Sequence, residues 1–306
     1  MQASFIVLTV FLSLVFIVIL VSLALSLSRT QIELPENRPE ALLEEREEEE
    51  AVREASASDP HRAEVREQRR PLVVCAGDSI THGAVSVNYV DILSKRMPQY
   101  EFSNGGVNSE LAYNLTARLD PIIKLKPKVI TILIGTNDVN ATFGLKAVLG
   151  YYALHKLPEV PNLLFYRENL TLIARRLKNE TDARIAFLSI PPIGETVGTY
   201  VFLRSDEYSQ VVREIAAAEG VSYLPLHEKM AAYLKSLPPR AHTEFQNFSR
   251  AQSASARSHF LLGRSFDEIS AANGFYLLVD GIHLNSVGAA MVADLIGDFI
   301  EGKQKS

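Results

Sequence analysis

An α/β fold, with a parallel sheet covered by helices on both faces, is predicted by three observations on this 306-residue chain. From Pro71 onward, short apolar runs of strand length alternate with longer stretches of helical periodicity. Several of the apolar runs end in loops of Gly, Asn, Asp and Ser, residues that turn a chain where a strand stops. The segment Pro71 to Ser306, 236 residues, is also long enough for one sizeable core.

The elements follow in order. Leu72 to Ala76 is an unbroken apolar run, hence a strand buried on both faces. A helix is expected over Val87 to Met97, a strand over Tyr100 to Ser103, a helix over Glu110 to Leu119 and a strand over Val129 to Ile134. Next come a helix near Tyr166 to Lys178, a strand at Arg184 to Ile190, and a helix near Asp206 to Glu219. A short strand at Val221 to Leu224 and a terminal helix over Val287 to Ile300 complete the pattern, a three-layer, flavodoxin-like arrangement. Ala141 to Leu164 and Ser236 to Ser265 do not fit it. The second reads as loop or loose helices, and both flank motifs, as walls of a cleft or surface insertions do.

Four short clusters carry the chemistry: Gly77-Asp78-Ser79, Asn104-Gly105-Gly106-Val107-Asn108-Ser109, Gly135-Thr136-Asn137-Asp138 and Asp280-Gly281-Ile282-His283. The first three follow predicted strands, and ligands of parallel sheets bind beyond the carboxyl ends of strands. A serine hydroxyl attacks a carbonyl only when a base removes its proton, and His283 is the candidate base. Asp280, three residues earlier, is the candidate to fix the ring and stabilise the imidazolium. The backbone N–H groups of Ser79 and Ser109 and the side-chain amide of Asn137 are the candidate oxyanion donors. Asp78 and Asp138 read as loop-shaping acceptors. Ser79 lies in Gly-Asp-Ser-Ile-Thr, which lacks the Gly-x-Ser-x-Gly pattern of a strained nucleophile elbow, so an ordinary α/β-hydrolase is disfavoured.

At these residues the chain resembles the SGNH (GDSL) hydrolases, whose four blocks each contribute one of Ser, Gly, Asn and His. The likeness runs from about Pro71 to the end and includes Ser189-Ile190-Pro191-Pro192-Ile193-Gly194-Glu195. It implies Ser79 as nucleophile, Asn137 as oxyanion amide, and Asp280 with His283 as the Asp-x-x-His pair. Ser109 stands where members usually carry the second-block Gly, with Gly106 three residues earlier. A serine keeps the backbone N–H needed there, but glycine tolerates backbone shapes that serine does not. The resemblance implies an esterase or lipase acting through an acyl-enzyme on small esters, lysolipids, thioesters or O-acetyl sugars, without a cofactor. Two alternatives stay open: an O-acyltransferase using the same acyl-serine, and a catalytically idle domain that binds lipid or glycan.

The N-terminal 70 residues differ in kind. Phe5 to Leu27 is an uncharged apolar run of 23, about 35 Å as a helix at ~1.5 Å per residue, and residues 1–28 are expected to be an uncleaved transmembrane anchor. A cleavable signal peptide is the rival reading. Residues 29–70 are expected to be a flexible acidic stalk: Ile32 to Arg70 holds 13 acidic and 7 basic side chains, leaving residues 71–306 neutral. Nothing in this charge pattern suggests a nucleic-acid partner.

Five Asn-x-Ser/Thr sequons, at Asn114, Asn140, Asn169, Asn179 and Asn247, favour a glycoprotein with a luminal or extracellular domain. Arg29 and Arg38, on the carboxyl side of the apolar run, pull weakly the other way. Cys75, the only cysteine, reads as a small core residue, and His82 as a structural hydrogen-bonding group. His61, His155, His227, His242 and His259 show no ligand spacing, so no metal site is expected.

Overall fold

The computed structural model describes residues 35–55 and 69–303. Strands β1 (Leu72–Gly77), β2 (Glu101–Gly106), β3 (Val129–Leu133), β4 (Arg184–Leu188) and β5 (Ser222–Leu224) form one sheet. Its order is β2-β1-β3-β4-β5 and every neighbouring pair is parallel. Strands β1 and β3 are apolar almost throughout because both faces are covered, and Val73, Val74, Cys75, Ala76, Ile130 and Ile132 are buried. Burial pushes the Cys75 thiol up to about 12, against a hydrogen bond with Thr131, as for an inert core group.

In chain order the helices are α1 (Pro39–Ala55), α2 (Ser79–His82), α3 (Tyr89–Arg96), α4 (Ala112–Ala117), α5 (Leu119–Lys124), α6 (Thr136–Asn140) and α7 (Leu145–His155). They continue with α8 (Leu163–Glu180), α9 (Tyr200–Glu219), α10 (Leu226–Ser236), α11 (Phe248–Leu262), α12 (Phe266–Asn273) and α13 (Ser286–Ile300). Helices α3, α10 and α13 pack together in one layer, and α4, α5, α8 and α9 in the other. The ten expected elements are all present, with ends shifted by a few residues. The segments left outside the pattern hold α7 and α11. The helical character of α7 was hidden because it is apolar on most sides, whereas α11, rich in Ser, Arg and Ala, agrees with the helical half of the loop-or-loose-helices reading.

The chain passes from β1 to β2 on one side, then crosses to β3 on the other. The carboxyl ends of β1 and β3 therefore border the crevice where the strand order reverses, the favoured ligand position in such sheets. Helix α2 begins directly after β1 and α6 directly after β3. Asp78 caps α2 by accepting from the Ile80 N–H at 2.9 Å. At the end of β2, Gly106 has no room for a side chain, since a Cβ would run into the backbone nitrogen of His82.

One expectation is corrected. Part of the acidic stalk is a docked portion of the fold: α1 packs on β2 and α5, with Pro39 buried and Leu42 and Leu43 against the core. Edge strand β2 presents unpaired backbone groups, and Asn37 satisfies them. Its amide donates to Phe102 O at 2.7 Å, and its carbonyl accepts from Asn104 N at 3.1 Å and Ser103 Oγ at 2.8 Å. Arg46 pairs with Glu101 at 2.9 Å, while the glutamates at 44, 45 and 47–50 stay exposed. The apolar face was too narrow to register against so many charges. The remaining stalk positions and the expected span Phe5 to Leu27 lie outside the described residues. Among the described residues no helix is long and apolar enough to cross a membrane.

The close approach at Gly106 yields a stability test. Gly106→Ala should lower folding stability by about 1–3 kcal/mol, the usual range for forcing extra volume into a packed site. Chemical denaturation of the variant checks this, and an unchanged midpoint would contradict the packing described.

Candidate active site

Ser79 and His283 are 204 positions apart, yet the Ser79 Oγ and His283 Nε2 atoms are 3.0 Å apart. On the other side of the ring, Nδ1 lies 2.8 Å from Asp280 Oδ2. The second oxygen of Asp280 accepts from the backbone N–H groups of Ile282 at 3.1 Å and His283 at 3.0 Å. The carboxylate is thus fixed by its own loop before it fixes the ring. Burial pushes the His283 pKa down, but the charge of Asp280, its hydrogen bond and the more distant charge of Asp78 outweigh it, and the ring ends above its ordinary value.

The loop carrying Asp280 and His283 is clamped from two directions. Ser86 Oγ donates to Leu284 O at 3.3 Å and accepts from Leu284 N at 3.0 Å, and Val87 N donates to Leu284 O at 2.8 Å. These bonds join it to the segment just after the nucleophile. From the opposite side the buried carboxylate of Glu195 accepts from three successive backbone N–H groups, Tyr276 at 2.7 Å, Leu277 at 2.6 Å and Leu278 at 2.8 Å. Gly194 N adds a bond to Gly281 O at 2.8 Å. Gly281 has φ +96° and lies under the Phe248 ring, so a side chain there would be both strained and blocked.

The three candidate oxyanion donors lie on the segments that follow β1, β2 and β3. The N–H groups of Ser79 and Ser109 donate to no other group among the described residues. Ser109 has φ +65°, the left-handed conformation that glycine adopts freely, so the substitution keeps the backbone shape at a cost of about 1–2 kcal/mol. Asn137 donates one amide hydrogen to Glu110 O at 3.0 Å, and the second has no partner among the described residues. A carbonyl can only accept, which fixes which end of the amide faces it. Tyr151, on α7, donates its hydroxyl to Asn137 Oδ1 at 2.7 Å and completes the clamp. Burial holds the Tyr151 pKa well above its ordinary value, so the phenol stays protonated as a donor.

Tyr151 was not legible in the sequence; nor was Arg118. Arg118 bonds Glu110 at 2.6 Å, Gly77 O at 3.1 Å and Gly105 O at 2.8 Å, tying the ends of β1 and β2 to the Ser109 loop. Asp138 accepts from Ala112 N at 3.1 Å, and Asp78 caps α2, so both shape loops. Burial pushes each up to about 7, and the charge of Asp78 adds to the rise at Asp138. His82 differs from expectation. It is buried, but neither ring nitrogen finds a partner among the described residues, and burial lowers its pKa.

Two outcomes are expected. Activity that requires a neutral His283 rises with pH, and because the ring is held above 6.5, the acid limb of kcat/KM should lie above 6.5. Asp280→Asn removes the charge that raises it, so the limb should move to lower pH while turnover falls; an unmoved limb would contradict the assignment. Tyr151→Phe should lower kcat by about tenfold with little change in KM, as expected for losing the group that holds an oxyanion donor. In an Asn137→Ala background the same change should have almost no further effect, and a full additional loss would contradict the coupling.

Residues 75–291 match the model of the GDSL-like lipase/acylhydrolase family. No curated protein matches the sequence. Among solved structures, the acetyl xylan esterase AlAXEase aligns at 18% identity with a TM-score of 0.52, covering 75% of this chain and 99% of its own. The acetylxylan esterase Axe2 from Geobacillus stearothermophilus aligns at 18% identity and a TM-score of 0.53, covering 74% of this chain and 93% of its own. A lipase/acylhydrolase from Enterococcus faecalis aligns at 20% identity and 0.51, covering 77% and 97%. At such identities the likeness shows a shared fold. The matched blocks, running from β1 to the helix that follows His283, show that this chain belongs to the GDSL-like lipase/acylhydrolase family and is an ester-cleaving serine hydrolase.

Proposed function

We propose that the protein is an esterase or lipase-type hydrolase that cleaves an ester or thioester through an acyl-serine intermediate at Ser79. The observation that carries this reading is the unbroken hydrogen-bond chain from Ser79 Oγ through His283 to Asp280. In the first step Oγ attacks the acyl carbon while its proton passes to His283 Nε2. Charge building on the carbonyl oxygen is met by the N–H groups of Ser79 and Ser109 and the free amide hydrogen of Asn137. The imidazolium, stabilised by Asp280, then protonates the departing alcohol or thiol. Water deprotonated by the same nitrogen attacks the acyl-serine, releasing the acid and returning the proton to Ser79. No step calls for a cofactor.

The idle-domain alternative rests on Ser109, and an N–H kept there in the left-handed conformation argues against it. An acyltransferase would share every step but the last, and no feature of the site favours it. The substrate belongs among small acyl esters, O-acetyl sugars and lysolipids. Acetyl esters draw support from the fold neighbours, two of which are named as acetyl xylan esterases. We further propose that the apolar run Phe5 to Leu27 anchors the chain in a membrane, with the catalytic unit on the luminal or extracellular side. Of the sequons that favour this side, Asn179 is exposed and fit to carry a glycan, whereas Asn169 is buried and donates its amide to Phe165 O at 2.8 Å.

Hydrolysis of acyl esters of graded chain length tests the reading. Ser79→Ala and His283→Ala should abolish turnover with the fold intact, and Asn137→Ala should lower it by about 10² or more. Fluorophosphonate should label the native protein and fail to label Ser79→Ala. Near-normal turnover in the His283 variant would refute the assigned base.

A further inference from the structure

We propose that the outward face of α7 is a lipid-contact surface that holds the mouth of the active site against a bilayer. The inference rests on the membrane-anchored reading above. Eight of the eleven residues of α7 are apolar or aromatic, yet none is buried. Leu145, Leu149 and Tyr152 follow an i, i+4, i+7 pattern on one face and are 73%, 56% and 41% exposed. The row continues through Phe143, whose ring meets the exposed rings of Tyr200 and Phe245 at 5.7 and 4.9 Å. A contiguous apolar surface of this kind marks an interaction site, unlike isolated exposed side chains.

Three features select a bilayer as the occupant. Residues 143–157 carry only Lys146 and Lys156 as formal charges, so the patch meets a lipid surface without burying acidic groups. The described chain starts on the edge strand whose carboxyl end leads to Ser109: Asn37 sits on Phe102 to Asn104, and Pro39 lies beside Gly105. Only seven residues separate Leu27 from Pro35, in place of the 42-residue stalk that the sequence suggested. Finally, the flank of α7 about 100° round from that row belongs to the site. It carries Tyr151, bonded to Asn137, and His155, whose pKa burial lowers and the backbone of Ser109 partly restores. A lipid-docked α7 would thus present the ester-cleaving crevice to substrates held in or near the membrane, and steady the Asn137 amide through Tyr151 while doing so.

The chain has no tryptophan, so a single introduced one reports its own surroundings. Leu149→Trp, with Leu145→Trp as a second reporter, and Asp182→Trp at the far end of the sheet are prepared in the full chain. Each is mixed with phosphatidylcholine vesicles, with and without bromine on the acyl chains, and flotation is scored in parallel. The proposal expects the α7 reporters to shift to shorter wavelength on vesicles and lose most of their emission to brominated lipid, with the reporter at 182 unchanged. Flotation with α7 reporters that behave like the one at 182 would overturn the docking surface and leave the anchor standing. Quenching of the α7 reporters in a chain that associates only reversibly would support docking and refute the anchor. Absence of both would refute both. Short-wavelength emission before lipid is added, with a doubled mass in solution, would assign the face to a second copy and overturn the proposal.

Discussion

Every part of the site depends on one contact, the 3.0 Å approach of His283 Nε2 to Ser79 Oγ. A parallel sheet can bring such distant residues together because each strand delivers its carboxyl end to the same edge, where no ladder bonds remain to be made. Ser79 and Asn137 reach that edge by following β1 and β3 directly, at the strand reversal. The Asp280–His283 loop follows no strand of the sheet, so its position must be imposed. Ser86, Glu195 and Gly194 impose it through six hydrogen bonds and one packed ring above Gly281. A carboxylate receiving three successive N–H groups can hold a loop rigidly, at the cost of burying a charge, and burial raises the Glu195 pKa accordingly.

The oxyanion side is built on a different principle. Two of its donors are backbone groups whose direction is set by φ and ψ, so the positive φ of Ser109 matters more than its side chain. The third is a primary amide, free to rotate unless both ends are engaged. Glu110 O and the Tyr151 hydroxyl engage them, and α7 thereby becomes part of a site that it borders only from outside. Preorganised donors stabilise developing charge without reorganising during the reaction, which is the physical value of this clamp.

The sheet and the reacting groups were legible in the sequence for the same reason: both are written in short, local patterns. Apolar runs such as Leu72 to Ala76 and Val129 to Ile134 announce their strands, and Ser79, Asn137, Asp280 and His283 sit in compact clusters whose residue types match one chemistry. Tyr151, Arg118 and the clamping role of Glu195 were hidden because each acts on partners 8 to 83 positions away, with no local pattern to mark it. Helix α7 was obscured by being apolar where a solvent-facing helix should be polar, and α1 by the opposite fault, a docking face of few apolar residues among many glutamates. In both cases what the residues contact outweighs their average composition.

The most direct measurement is mass spectrometry of the full-length protein quenched in acid during turnover of a slowly deacylated ester, followed by peptide mapping. The account predicts one added acyl group, carried by the peptide containing Ser79, that disappears as substrate is exhausted. Steady hydrolysis with no acylated protein, or an acyl group mapped to another residue, would contradict it.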